Sequence, residues 1–269
     1  MSWAQVRTWL VEVALPPLAF LVLVVAIWQA ATVWWEVPAY LVPSPMRVWD
    51  AAREHAEELS VATWMTTVAA LGGLGASLVV GTTLGLLFAQ SRVVERSIYP
   101  YAIFLQTVPI VAIAPLVVLW FGYGLTSVVM VSFILSLFPI VTNATAGLTS
   151  VDPRLLELFA IHNASRAHVL FKLRLPNAVP YLVTGVKISC GLSVIGAIVG
   201  EMFAGHNTER FGLGYLIRMT TEQVNTAYAF AAVLSSTAVS IAVFAAVSSI
   251  GATILSRWHT AEPGSSVER

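Results

Sequence analysis

The stretch Asp152-Pro153-Arg154-Leu155-Leu156-Glu157-Leu158-Phe159-Ala160-Ile161-His162-Asn163-Ala164-Ser165-Arg166-Ala167-His168-Val169-Leu170-Phe171-Lys172-Leu173-Arg174-Leu175-Pro176 is a basic, ordered island in a chain that is otherwise very apolar. Asp152 followed by Pro153 is a helix start, a carboxylate that can cap free N–H groups followed by a residue whose φ is preset for the first turn. Leu155, Leu156, Leu158, Phe159 and Ile161 then make a helix that is apolar over more than half its circumference. Asn163 is the expected break, because after Gly it best accepts the left-handed conformation that ends helices. A second short helix is predicted from Ser165 to about Leu173, stopping before Leu175-Pro176. Two rigid pieces joined by a bend make a lever.

Outside the island the residues are suited to lipid. Of 269 residues, 58% are hydrophobic and 10% charged, and the mean hydropathy is +0.82; soluble domains average about 45–50% apolar and about 25% charged. The net charge is zero, so the overall balance does not point to nucleic acid. A spanning helix needs about 20 mostly apolar residues, and six stretches qualify: 13–35, 61–90, 98–121, 126–149, 178–204 and 227–256. The expected fold class is therefore all-α, a polytopic membrane protein with about six transmembrane helices. The first run exceeds a secretory h-region in length and lacks a small-residue cleavage site, so it is read as a retained span. Gly122-Tyr123-Gly124 leaves room only for a tight turn between the third and fourth spans.

An even number of spans puts both termini on one side, and the basic residues choose it. Arg7, Arg92, Arg96, Arg154, Arg166, Lys172, Arg174, Arg257 and Arg269 fall on the side of the termini, against Arg47, Arg53, Arg210 and Arg218. The positive-inside rule makes that side cytoplasmic, and the island with it. The expected organisation is a cytoplasmic N-terminus (1–12), a transmembrane domain (13–256) with the cytoplasmic loop 150–176, and a disordered cytoplasmic tail (257–269).

Between the first two spans, Ser44 as cap and Pro45 at the first helical position start a short amphipathic helix, with Val48, Trp49, Ala52, Ala56 and Leu59 on one side and Asp50, Glu54, Glu57 and Glu58 on the other. It is expected along the outer membrane surface, either as a landing area for an external partner or as a solvated connector. Gly72-Gly73-x-Gly75 and Gly81-x-x-x-Gly85 permit close helix approach, between subunits or within one. Pro109 and Pro115 interrupt the third span and are expected to kink it toward the interior of the bundle. Gln106, Thr107, Pro109, Ser136 and Asn143 are candidate pathway residues, with interhelical hydrogen bonding as the other account of the polar ones. Lys187 and Glu201 on the fifth span are ionisable at membrane depth, which marks candidate functional positions. Lys187 can also snorkel to the cytoplasmic side, and Glu201 can instead cap the following turn. The Gly-x-Gly at Gly212 and Gly214 is too little for a phosphate loop, and Leu213 to Thr221 reads as a short interfacial helix.

The five histidines lack metal-ligand spacing, so no metal site is expected; the single Cys190 reads as a small buried side chain. No Gly-x-x-x-x-Gly-Lys-Ser/Thr loop is present, so nucleotide hydrolysis, if any, belongs to another chain.

The island resembles the cytoplasmic loop signature of binding-protein-dependent ABC importer permeases: Glu-Ala-Ala, three residues, Gly, nine residues, Ile-x-Leu-Pro. Glu157 takes the Glu position, Asn163 the Gly, Leu173 the Ile and Leu175-Pro176 the Leu-Pro, with every spacing kept; Leu158 and Phe159 stand where the signature has alanines. The resemblance extends to Tyr40-Leu-Val-Pro-Ser-Pro, Trp120-Phe-Gly-Tyr-Gly, Asn163-Ala-Ser-Arg, Gly200-Glu201 and Gly212-Leu-Gly-Tyr. It is similar to the branch serving nitrate, sulfonates and taurine, with relatives for aromatic carboxylates, thiamine-precursor pyrimidines or riboflavin. The resemblance implies a type I importer permease fold in the bacterial inner membrane and a transport subunit rather than an enzyme. It also implies a second, identical permease subunit, cytoplasmic ABC ATPase subunits holding ATP and Mg, and an external solute-binding protein. No cofactor is expected in this chain. The ATPase-coupling residues implied are Glu157, Leu158, Phe159, Ala160, Asn163, Ala164, Ser165 and Arg166, and the solute is expected to be a small organic or inorganic anion. The rival reading is an ion- or proton-coupled secondary carrier using Lys187 and Glu201 as its coupling pair.

Overall fold

A computed structural model describes residues 15–205 and 211–259. The expected N-terminal segment 1–12, residues 206–210 and the tail from 260 lie outside the described residues. The chain divides into two compact units, Met1–Ser60 with Leu216–Leu234, and Val61–Tyr215 with Ser235–Arg269.

In the first unit, α1 (Leu15–Trp34) is a predominantly apolar 20-residue helix with no buried residue. It is followed by α2 (Pro45–Glu54), capped by Ser44, whose hydroxyl accepts from the Arg47 N–H at 3.5 Å. Val48 is buried while Trp49 stays exposed, so the expected apolar side of α2 is only partly covered. The unit also holds most of α10 (Leu213–Glu222) and the start of α11 (Thr226–His259). Its aromatic contacts are local: His55 stacks on Tyr228 with centroids 4.2 Å apart, and Trp28 meets Phe230 at 5.9 Å. The Thr226 hydroxyl donates to the Tyr40 carbonyl over 2.7 Å.

The second unit is built on three long helices, α3 (Ala56–Gln90), α6 (Leu125–Thr149) and α9 (Leu175–Ala204). Lipid supplies no hydrophobic drive between helices, so close approach and interhelical hydrogen bonds must hold them together. Small residues provide the approach. A side chain at Gly73 would run into Ser132, one at Gly81 would come within 2.8 Å of Ile140, and one at Gly85 within 2.6 Å of Ala144. The glycines of the second span thus serve packing within one subunit, α3 on α6, although Gly75 faces open space. On the other flank of α6, Gly185, Gly196 and Gly200 of α9 fit against Asn143, Ser132 and Val128. Serines supply the hydrogen bonds: Ser77 and Ser136 share one at 2.7 Å, Ser189 donates to the Ser136 carbonyl at 2.7 Å, and Ser132 donates to the Ser193 carbonyl at 2.9 Å. Cys190 is fully buried beside this seam.

The expected third span is not one kinked helix. It is two helices, α4 (Arg92–Thr107) and α5 (Ile110–Phe121), separated at Val108-Pro109. The residue before a proline is pushed out of the helical region, and Val108 is extended, with ψ 126°. Pro115, expected to kink as well, stays inside α5. Among the described residues, five helices are long and apolar enough to cross a membrane, and the 12-residue α5 is a shorter apolar piece. Gly122 and Gly124 at φ +82° and +118° turn the chain from α5 into α6. The last span also differs from expectation: α11 runs on to His259, into the segment expected to be disordered.

Candidate functional site

The island folds as its caps dictate. The Asp152 carboxylate accepts from the Arg154 N–H at 2.9 Å and opens α7 (Pro153–Ile161). Asn163 sits at φ +50°. The Ala164 N–H bonds the Phe159 carbonyl and the Asn163 N–H that of Ala160, both at 3.0 Å, the paired bonds of a helix end closed by a left-handed residue. Ser165 then caps the next helix, its hydroxyl accepting from the His168 N–H at 3.2 Å.

The second piece of the island is not the expected short helix. The helix α8 (Arg166–Val169) passes through one π turn, Leu170–Arg174, directly into α9 without a stop at Leu175-Pro176. In a regular helix Pro176 would lack a donor for the carbonyl four residues back and its ring would crowd that carbonyl. The wider π turn, in which the Leu175 N–H reaches the Leu170 carbonyl, accommodates it. The island is thus an elbow, α7 bent at Asn163 onto a rod that runs unbroken from Arg166 to Ala204 over 39 residues. At 1.5 Å per residue the rod is roughly 58 Å long, against a hydrocarbon core of about 30 Å.

Two contacts anchor the elbow end of the rod, and neither is visible in the sequence. Arg174 donates to the Ala89 carbonyl near the end of α3 at 2.8 Å. The Asn177 amide donates to the Gly147 carbonyl at 2.8 Å and to the Ser150 hydroxyl at 3.2 Å, serving the end of α6. By sequence Arg174 is only a topology charge, because its partner lies 85 residues away.

The elbow encloses a concavity of about 470 Å³ lined by Leu158, Phe159, His162, Ala164, Ser165 and His168. Two of these lining residues, Phe159 and His168, have ring centroids 6.0 Å apart. No residue of α7 is buried; Leu155, Leu158 and Ile161 are exposed, as are Glu157, Ala160, Asn163, Ser165 and Arg166. An apolar helix left open in this way presents an uncovered surface.

At the other end of the rod Glu201 is 3% exposed. Its Oε2 accepts from the Thr66 hydroxyl at 2.9 Å and from the Gly214 N–H at 2.8 Å, while Thr66 Oγ1 accepts from the Leu213 N–H at 2.9 Å. The carboxylate and its threonine together cap the N-terminus of α10, where a helix favours negative charge. Gly212 and Gly214 leave room for it: a side chain at either position would collide with Glu201, and one at Gly214 also with the Ile198 carbonyl. The Gly-x-Gly segment cradles the chain's own carboxylate.

Lys187 lies elsewhere, half-buried beside Gly251 of α11 and, 14 positions from Glu201, roughly 21 Å away along the same helix. The two do not form a direct ion pair. Ser136 belongs to the seam between α3, α6 and α9. The Asn143 amide donates back to the Pro139 carbonyl at 2.8 Å, and the Thr107 hydroxyl to the Phe104 carbonyl at 2.8 Å. Gln106 lines a cavity at the Val108-Pro109 break. The candidate pathway residues are therefore dispersed; Gln106, Thr107 and Pro109 at the break are exposed, and of these Gln106 lines the cavity.

Comparison with known proteins agrees with this architecture. The chain is 35% identical over 235 residues to the formylaminopyrimidine transport permease protein ThiX of Halalkalibacterium halodurans, covering 87% of this chain and 92% of that protein. It is 33% identical to the riboflavin transport system permease protein RibX of Chloroflexus aurantiacus, covering 89% and 88%. The fold is similar to that of a chain from inward-facing structures of the MetNI methionine ABC transporter, with a TM-score of 0.54 at 17% identity over 72% of this chain and 98% of that one. Residues 81–260 match the family model of binding-protein-dependent transport system inner membrane components. With its long apolar helices, its elbow at the signature positions and a type I permease fold, the chain belongs to that family, the permease subunits of ABC importers.

Proposed function

We propose that α7 and the concavity beside it are the surface on which a cytoplasmic ABC ATPase docks, and that the rod Arg166–Ala204 carries the motion of that ATPase into the membrane. The observation that carries this reading is the continuity of the rod with an elbow whose helix α7 buries nothing of its own. Glu157 supplies a charged contact and Leu158, Phe159 and Ala160 the apolar one. Asn163, Ala164, Ser165 and Arg166 set the angle between α7 and the rod. ATP and Mg are held by the partner, and this chain contributes no reacting group.

Because the rod is anchored to α3 through Arg174 and to α6 through Asn177, displacement of the elbow moves these helices as a body. Its far end is tied through Glu201 to α10 and Thr66. A packed seam of small residues favours discrete arrangements over continuous bending, so closure of the ATPases drives a rocking between inward-open and outward-open forms. With α4 and α5 together taken as the sixth crossing, both termini lie in the cytoplasm, a second identical permease subunit completes the pathway and an external binding protein delivers the solute. The solute is a small one: the relatives named for formylaminopyrimidine and riboflavin transport support an organic molecule, and those named for sulfonate, taurine and nitrate transport support an anion.

Co-purification tests the docking surface. The unaltered chain is expected to retain its cognate ATPase through detergent extraction, and the Glu157→Ala, Phe159→Asp double variant to lose it. Equal retention by both would remove α7 from the interface.

A further inference from the structure

The end of the rod remote from the elbow meets three elements. The Glu201 carboxylate holds Thr66 of α3 and the Gly214 N–H of α10, and Thr66 holds the Leu213 N–H. The Gly124 N–H, in the turn into α6, donates to the Ala204 carbonyl at 3.2 Å. A side chain at Gly205 would come within 2.7 Å of Tyr215, so the first turn of α10 lies directly against the rod. The cavity that Glu201 borders is about 30 Å³, space for no more than a few waters and too little for a solute beside the carboxylate.

Capping alone does not call for this arrangement. A helix start is ordinarily closed by the residue just before it, a Ser, Thr, Asp or Asn, but Gly212 stands there and the bonds come from side chains 13 and 147 positions away. A buried carboxylate is costly unless its hydrogen bonds stay made, and a partner withdrawn from it leaves a bare polar group, which costs more than the bond contributes in place. Sliding of α3 or α10 along the rod is therefore resisted, and the joint passes displacement on instead of absorbing it. We infer that Glu201 is a positioning residue for transport: it couples the rod to α3 and α10, so that a load on the first turn of α10 reaches the elbow and a displacement of the elbow reaches α10. The assignment rests on the permease function proposed for this chain and adds to it a route for the signal of the external binding protein.

The test is ATP turnover in proteoliposomes holding the full-length chain and its ATPase, with ATP, Mg and the purified binding protein as the probes. Thr66→Val and Glu201→Ala are expected to lose stimulation by the binding protein while keeping the ATPase bound and the unstimulated rate. Glu201→Gln, whose amide oxygen can still accept both bonds, is expected to keep part of the stimulation. Gly81→Ala controls for stability: it overpacks α3 against Ile140, away from the rod, and lowers the unfolding temperature about as Thr66→Val does, yet stimulation is expected to survive it. Stimulation retained in both Thr66→Val and Glu201→Ala would overturn the assignment. Stimulation lost alike in Gly81→Ala would also overturn it, because loss of stability alone would then suffice. Loss of the unstimulated rate in Thr66→Val and Glu201→Ala would do the same, since it places the defect in assembly. The permease reading fails separately: an unaltered chain that retains no ATPase removes that reading and the assignment with it, whereas the other outcomes leave the reading standing.

Discussion

Thr66 on α3 and Glu201 on α9 are joined by a hydrogen bond of 2.9 Å, and the same threonine oxygen accepts the Leu213 N–H. One hydroxyl thus donates to a buried carboxylate and satisfies a buried backbone donor. Thr66→Val keeps the shape and removes both bonds, leaving the Leu213 N–H without a partner. A loss of about 1–3 kcal/mol is expected, measured by thermal unfolding of the purified chain in detergent. Glu201→Gln combined with Thr66→Val should cost less than the sum of the single changes, because both act on the same cap.

The glycines of α3 are expected to divide by what faces them. Gly73→Ala forces a methyl into Ser132 and within 2.8 Å of the Phe133 nitrogen, an overpacking that costs about 1–3 kcal/mol. Gly75→Ala meets nothing within 4 Å and should be neutral or stabilise the helix by up to about 1 kcal/mol. Thermal shifts of the two variants, opposite or at least well separated, check the assignment of this face to packing within one subunit.

The elbow depends on a left-handed residue. Asn163→Gly should leave it intact, whereas Asn163→Val should cost roughly 1–2 kcal/mol locally and raise the hydrogen exchange of the amides at Asn163 and Ala164. Val224 provides the converse. It adopts φ +60° at a helix end closed in the same way, with the Asn225 N–H on the Thr220 carbonyl at 2.8 Å, and a β-branched residue is strained there. Val224→Gly is expected to raise the unfolding temperature.

Range decides which of these features the sequence conveys. The cap at Asp152, the bend at Asn163, the cap at Ser44 and the long apolar helices are legible, because each is set by residues within a turn or by composition. The stop expected at Leu175-Pro176 is absent, since a π turn absorbs the proline and local rules give that option little weight. The third span divides at Val108-Pro109 instead of bending, since the pre-proline restriction acts at one residue and its outcome depends on the space around it. Sequence position leaves Glu201 between gate and cap; its hydrogen bonds to Thr66 and Gly214 show the cap. Arg174 and Asn177 do not show as anchors in the sequence because their partners on α3 and α6 are remote along the chain.

The central claim is that the elbow transmits the work of the ATPase, and binding-protein-stimulated ATP turnover in proteoliposomes tests it most directly. With the importer assembled from this chain, its ATPase and its binding protein, stimulation is expected for the unaltered chain and to fall to the unstimulated rate in the Glu157→Ala, Phe159→Asp variant. Undiminished stimulation in that variant would contradict the account.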